Sequence, residues 1–215
     1  MAHCHRPFTP THRVGGRAGV GSAPTAIRPE GEAGVNAANA WDSRTILHLG
    51  AGKKYHPEAV NVDLVVSTNP DLVHNLDVTP WPLPDGHFRE VWAYDVIEHL
   101  TDVVRTMEEI HRVCADGAVV KITVPHFSCS NAFTDPTHRH YFGRFSFDYL
   151  TGENDLGFYS RARFRRIMSR IIFRGGFCNK AIRRLANCYP AWYESRWAWI
   201  FPAWFLYFEL EVVKG

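Results

Sequence analysis

The stretch that most constrains this chain is residues 46–52, Ile-Leu-His-Leu-Gly-Ala-Gly, in which a short apolar run ends in Gly-x-Gly. Eleven residues after Gly52 an acid, Asp63, closes a second apolar run, Ala59-Val60-Asn61-Val62-Asp63. The pattern predicts a buried strand, a glycine turn, and a neighbouring parallel strand with a carboxylate at its tip. Gly50 and Gly52 have no Cβ, so the backbone can take positive φ and let a ligand come close. A carboxylate at such a tip can accept hydrogen bonds from two ribose hydroxyls. A tight turn after a buried strand is the plainer reading of a lone Gly-x-Gly. The acid and the downstream pattern shift the balance to a nucleoside-type ligand.

From Gly52 to Val60 stand only Lys53, Lys54, Tyr55, His56, Pro57 and Glu58, with Ala59 opening the next run. Parallel strands usually need a crossover of about a dozen residues or more, so this one must be a turn or loop without a full helix. A third run, Leu72 to Leu76, leads to Asp77-Val78, and a turn-rich loop from Trp81 to Gly86 is stiffened by Pro80, Pro82 and Pro84. Val91 to Tyr94 reads as a fourth strand ending at Asp95. A helix capped by Thr101 follows, with Val104, Met107, Ile110 and Cys114 as its apolar stripe and Asp116-Gly117 as its stop. Ala118 to Val124 is a fifth strand, stopped by Pro125. Alternating strands and crossovers predict an α/β fold, a three-layer sandwich on a mostly parallel sheet, with ligand groups at the carboxyl edge of the strands.

Past residue 126 the pattern changes. His126-Phe-Ser-Cys129 and Asp135-Pro-Thr-His138-Arg-His140 make a polar loop directly after a strand end. Arg161 to Arg184 holds nine Lys or Arg residues, and no acid stands between Leu156 and Tyr193. Within it, Ile167 to Phe173 reads as a strand. An aromatic stretch, 192–208, precedes an alternating final strand, Phe208 to Lys214.

At 215 residues the chain has room for one domain with a sizeable core. Residues 1–41, rich in Gly, Ala, Pro and Thr, read as a disordered leader, and 42–215 as the folded domain. Cys4, His5 and His12 lie in that leader and are not expected to form a metal cluster; a basic, acid-poor transit peptide is its minor alternative reading. A formal charge of +2 is too small for a protein devoted to nucleic acid. Five cysteines without Cys-x-x-Cys point to free thiols in a reducing compartment. No run of eighteen apolar residues exists, so no spanning helix is expected. The expected location is cytoplasmic, at most peripheral to a membrane.

In this order and spacing, Leu47 to Gly52, Asn61-Val-Asp63, Asp77-Val78, Asp95-Val-Ile-Glu-His99 and Ala115-Asp-Gly117 resemble the class I S-adenosylmethionine-dependent methyltransferases. The resemblance covers Thr45 to about Val124, and Phe208 to Lys214 looks like that fold's antiparallel last strand. It implies S-adenosylmethionine as cofactor. Gly50, Ala51 and Gly52 would pass under its amino-acid end and sugar, Asp63 would hold the ribose, and Leu64 would lie against the base. Asp77 would face the adenine amino group with Val78 giving its backbone, and Asp95 would face the methionine end. The usual third glycine is Tyr55 or absent. With its short crossover and Asp-Pro-Thr-His segment, the chain looks like small methyltransferases of sugar, surface-polysaccharide and secondary-metabolite pathways.

Methyl transfer to an alcohol needs orientation and removal of a proton, and histidine suits the second task near neutral pH. His126, His138 and His140 follow strand five, and His138 is the first choice because Asp135 can orient it; loop-pinning is the plainer role for all three. His126, Cys129, His138 and His140 match no common closed zinc site, so no metal is assigned. Glu98-His99 reads as a tie between strand four and the next helix. The basic run is a solvated face or a grip on a phosphorylated acceptor. The aromatic stretch reads as core or dimer interface, with docking at a membrane surface as the further alternative. The expected function is methyl transfer to a hydroxyl of a small sugar-like or secondary-metabolite acceptor. Its rivals are a cofactor-binding module without turnover, and an RNA methyltransferase using the basic run. No Asn-Pro-Pro-Tyr-like motif follows strand four, which lowers base methylation.

Overall fold

A computed structural model describes residues 43–152, 160–174 and 177–215. The expected leader, with Cys4, His5 and His12, lies outside them. Seven strands form one sheet: β1 (Ile46–Leu49), β2 (Ala59–Asp63), β3 (Leu72–Val73), β4 (Phe88–Tyr94), β5 (Cys114–Pro125), β6 (Arg163–Ile172) and β7 (Phe205–Val213). Their order is β3-β2-β1-β4-β5-β7-β6. Neighbours from β3 to β5 pair parallel, while β7 pairs antiparallel with both β5 and β6. The last strand is therefore the one that runs against the others. The helices are α1 (Val103–Val113), α2 (Asn131–Thr134), α3 (Phe177–Cys188) and α4 (Pro190–Arg196).

The strands form where apolar side chains can be buried on both faces or in alternation. All five residues of β2 are buried, as a central parallel strand requires. In β7 burial has period two, with Leu206, Phe208, Leu210 and Val212 inward. Val120, Ile122 and Val124 of β5, and Met107, Ile110 and Val113 of α1, join the same core. Each such side chain contributes roughly 1.5–3 kcal/mol through burial.

The first crossover contains no helix, as its length requires. Lys54 N–H donates to the Ala51 carbonyl, and Asn61 clamps the loop by donating to the His56 and Ala59 carbonyls while accepting from His56 N–H. The His56 ring sits edge-on to Trp92 at 4.9 Å. Asp71 closes the clamp by accepting from Asn61 N–H and pairing with Arg44 at 3.0 Å.

Several boundaries differ from expectation. β3 is two residues, and β4 begins three residues earlier than its apolar run. Asp102 caps α1 by accepting from Arg105 N–H, because Thr101 is engaged by Asp77. α1 ends at Val113, so Cys114 belongs to β5 rather than to the helix stripe, while Val104 is half-buried. Asp116-Gly117 sits in an irregularity between the Phe88–Cys114 and Glu90–Val119 pairs, with Gly117 at φ +74°. The sixth strand starts at Arg163 and absorbs much of the basic run on an edge, where charged side chains discourage further strand pairing.

Candidate active site

The sheet order reverses direction between β1 and β4, and ligands of open α/β sheets bind at the carboxyl end of such a switch. Gly50 and Gly52 follow β1 with φ of +62° and +50°. A Cβ on Gly50 would come within 2.6 Å of the Val96 side chain, so this glycine lets β1 and the β4 end approach. A Cβ on Gly52 would meet nothing within 4 Å, so this one faces open space. Ala51 is buried, its N–H donating to the Val62 carbonyl.

Asp63 is 8% exposed at the tip of β2. It accepts from Gly52 N–H at 2.7 Å and from Val65 N–H at 2.8 Å. The carboxylate is thereby fixed beside the glycine turn, and each oxygen keeps a second lone pair for a hydroxyl donor. Next to it Leu64 and Val66 are 63% and 70% exposed, an apolar shelf at the tip of β2. At the end of β4, Asp95 holds φ +57°, which is costly for a residue with a Cβ but tolerated by Asp. It is locked there by Thr123: Asp95 N–H donates to the Thr123 carbonyl, and Thr123 Oγ1 donates to Asp95 Oδ1 at 2.7 Å. Strain of this kind gathers at functional sites.

Two expected cofactor contacts also make bonds inside the protein. Both Asp77 oxygens accept from Thr101, from its N–H at 2.7 Å and its hydroxyl at 3.0 Å. Val78 gives its N–H to the Asn75 carbonyl, and its own carbonyl accepts from His74 Nε2. Asp77 thus fastens the loop before α1, and the Val78 backbone is already engaged.

The three histidines separate. His126 is wholly buried, with Nδ1 at 2.8 Å from Ser128 Oγ and Nε2 at 3.2 Å from Glu194. Both ring nitrogens are taken, which corrects its place among the proton acceptors. His140 Nε2 donates to the Thr101 carbonyl at 3.2 Å, since a carbonyl only accepts; this ties the loop to the start of α1. His138 Nδ1 donates in the same way to the Ala132 carbonyl at 3.2 Å, leaving Nε2 with its lone pair. Cys129 is buried, its sulfur accepting from Asn131 N–H.

Sequence reasoning assigned Glu98-His99 only to structure. In the fold the pair forms a 3₁₀ turn after β4, facing His138, whose ring lies 4.6 Å from that of His99. His99 Nδ1 is 2.8 Å from Thr137 Oγ1, which donates its own proton to Asp135 at 2.6 Å. The threonine oxygen therefore accepts from His99 Nδ1–H. Burial, followed by the nearby His138, holds His99 below the ordinary imidazole range. Glu98 is 1% exposed, and its Oε2 has no hydrogen-bond partner. Burial pushes its carboxyl up to about 8, with the charges of Asp95 and Asp135 adding to the rise. The missed signal lay in the spacing: His138 is 39 residues from His99 along the chain and meets it only through the fold.

The basic run divides. Arg165 pairs with Glu211, Arg166 with Asp148, and the Arg174 guanidinium lies 3.5 Å over the Trp204 ring. Arg170, Arg183 and Arg184 line a cavity of about 630 Å³ beside β6, at the sheet edge away from β1. The aromatic stretch divides: Tyr193 and Phe208 are core, while Trp192, Trp199 and Phe201 are exposed. Among the described residues no helix is long and apolar enough to cross a membrane.

A family model described as a methyltransferase domain matches residues 47–122, which run from β1 into β5. Among solved structures, the YcgJ protein of Bacillus subtilis superposes with TM-score 0.51 at 12% identity, covering 81% of this chain and 94% of that one. The [4+2]-cyclase SpnF gives 0.52 at 13% identity, over 81% and 76%. A SAM-dependent methyltransferase from Archaeoglobus fulgidus gives 0.48 at 15%, over 78% and 86%. The fold is that of the Rossmann-like methyltransferases. Its cofactor is S-adenosylmethionine. No curated protein matches the sequence. The residues fit the cofactor: a Cβ-free turn facing open space, a fixed carboxylate and an exposed apolar shelf stand side by side on the methyltransferase edge. The family match over residues 47–122 and the fold agree with one another.

Proposed function

We propose that this methyltransferase transfers a methyl group to a hydroxyl of a small polar acceptor of the sugar-like or secondary-metabolite kind. The observation that carries the reading is the free Nε2 of His138 on the acceptor side of the cofactor edge, beside the Glu98-His99 turn. Bound at that edge, S-adenosylmethionine supplies a methyl group activated by a sulfonium. Asp63 would accept the ribose hydroxyls, Leu64 would lie against the base, Gly52 would leave room for the sugar, and Asp95 would face the methionine end. The proton of the acceptor hydroxyl passes to His138 Nε2, whose opposite nitrogen is held by Ala132. Beside His140, a cavity of about 380 Å³ lined by Tyr141, Phe142, Phe147 and Tyr149 gives aromatic faces against which a ring-shaped acceptor can lie.

The basic run favours a small acceptor over RNA, since Arg165 and Arg166 are paired with Glu211 and Asp148, and Arg170, Arg183 and Arg184 line a cavity at the sheet edge away from β1. The test is mass-spectrometric methyl transfer to a panel of hydroxylated acceptors. His138→Ala should bind S-adenosylhomocysteine nearly as wild type, while turnover falls roughly 10²–10⁴-fold, the usual share of general-base catalysis. A variant of unchanged rate removes His138 from the chemistry.

A further inference from the structure

We propose that Glu98, His99 and His138 bind one divalent transition-series cation, of the manganese, cobalt or zinc kind, on the acceptor side of the cofactor edge. One ligand atom from each residue lies within 4.8 Å of the other two. A modest closing from there brings three donors to the ~2.0–2.2 Å that nitrogen and oxygen ligands adopt around such ions.

Three independent features support the site. The Glu98 Oε2 atom is buried without a partner, and a cation at that point would satisfy it. Both imidazoles have Nδ1 committed to an acceptor, His99 to Thr137 backed by Asp135 and His138 to the Ala132 carbonyl. Each is thus fixed in the tautomer that presents the Nε2 lone pair, as outer partners of metal-bound histidines do. Finally, the backbone N–H groups of Arg139 and His140 both donate to the Glu98 carbonyl, which pins the His138 loop to the turn carrying the other two donors. Two imidazoles and one carboxylate suit borderline ions better than magnesium or calcium, which take oxygen ligands. The set shares only His138 with the four residues weighed from sequence, among which His126 is bound to Glu194.

Three protein donors leave coordination positions open, as in catalytic sites. The catalytic consequence rests on the methyl-transfer reading. The acceptor hydroxyl takes an open position, its pKa falls, and its O–H proton leaves to water. The oxygen then forms the C–O bond as the C–S bond of the cofactor breaks. In the metal-loaded chain His138 is a ligand, and the direct proton removal by its imidazole belongs to the metal-free chain.

The test uses the full chain stripped with a chelator and titrated with Co²⁺, followed by visible absorption. One saturable equivalent is expected, with Glu98→Gln and His138→Ala each weakening it at least roughly tenfold, the least that loss even of a metal ligand's outer partners costs. Circular dichroism and S-adenosylhomocysteine titration on the same variants should match wild type. Absence of saturable binding in the wild type, or binding that both variants leave unchanged, overturns the site. Full methyl-transfer rate in chelator overturns its catalytic role and leaves His138 as the base. Cobalt binding without S-adenosylhomocysteine binding keeps the site and removes the methyltransferase reading; the reverse result does the opposite.

Discussion

At the scale of single residues, Gly50 and Gly52 look alike in sequence and do different work. Gly50→Ala would press a Cβ into Val96 at 2.6 Å in a left-handed conformation. It should destabilise the fold by more than the roughly 1 kcal/mol typical of backbone strain alone. Gly52→Ala meets no protein atom and should cost about that strain alone, yet it should weaken cofactor binding because the methyl enters the space the sugar needs. Urea titrations and S-adenosylhomocysteine calorimetry on both variants check the split. Equal effects on both quantities would mean the two turns have been wrongly distinguished. The place of Asp63 beside the glycine turn was readable because strand tip and turn lie within a dozen residues. The bonds from Thr101 to Asp77 were not readable, because Thr101 stands 24 residues away along the chain.

Among the elements, the short crossover between β1 and β2 depends on one buried amide. Asn61→Ala deletes the clamp on His56 and Ala59 and leaves backbone groups unsatisfied. It should cost roughly 2–4 kcal/mol, the range for breaking a buried hydrogen-bond network. The same clamp should respond to acid. Burial pushes the Asp71 carboxyl up, but hydrogen bonds from Asn61 and the pair with Arg44 outweigh it, so the group lies below the ordinary carboxylate range. A depressed folded pKa gives stability that is complete above the unfolded value and lost as pH falls through the folded one. The stability gap between wild type and Asp71→Asn should therefore be constant above about pH 5 and shrink below pH 4. Urea midpoints across that range would show it, and a gap that widens in acid would contradict it. Counting residues predicted a crossover without a helix, but the pattern could not show Asn61 as its clamp, since Asn61 looks like one more strand position. The cap of α1 moved from Thr101 to Asp102 for a similar reason: the competing partner comes from another loop.

For the molecule as a whole, the parallel sheet and its reversed last strand were legible because burial on both faces or in alternation leaves a periodic trace. The acceptor side was less so. His126 seemed equivalent to His138 until Glu194, 68 residues on, closed over it, and Glu98-His99 acquired a partner only when the loop folded back. The comparisons carry the fold and the cofactor, while the superposition on a [4+2]-cyclase shows that a similar scaffold belongs to a protein named for other chemistry. The central claim is therefore that the β1–β4 edge binds S-adenosylmethionine through Asp63, and ligand-linked thermal unfolding tests it most directly. S-adenosylhomocysteine at about a hundred times its dissociation constant should stabilise the wild-type fold by roughly 2.7 kcal/mol and raise its Tm by several degrees. Asp63→Ala should lose about 1–3 kcal/mol of binding, so that the same rise needs a many-fold higher concentration. A wild-type Tm that millimolar ligand leaves unmoved, or an equal rise in Asp63→Ala, would contradict the account.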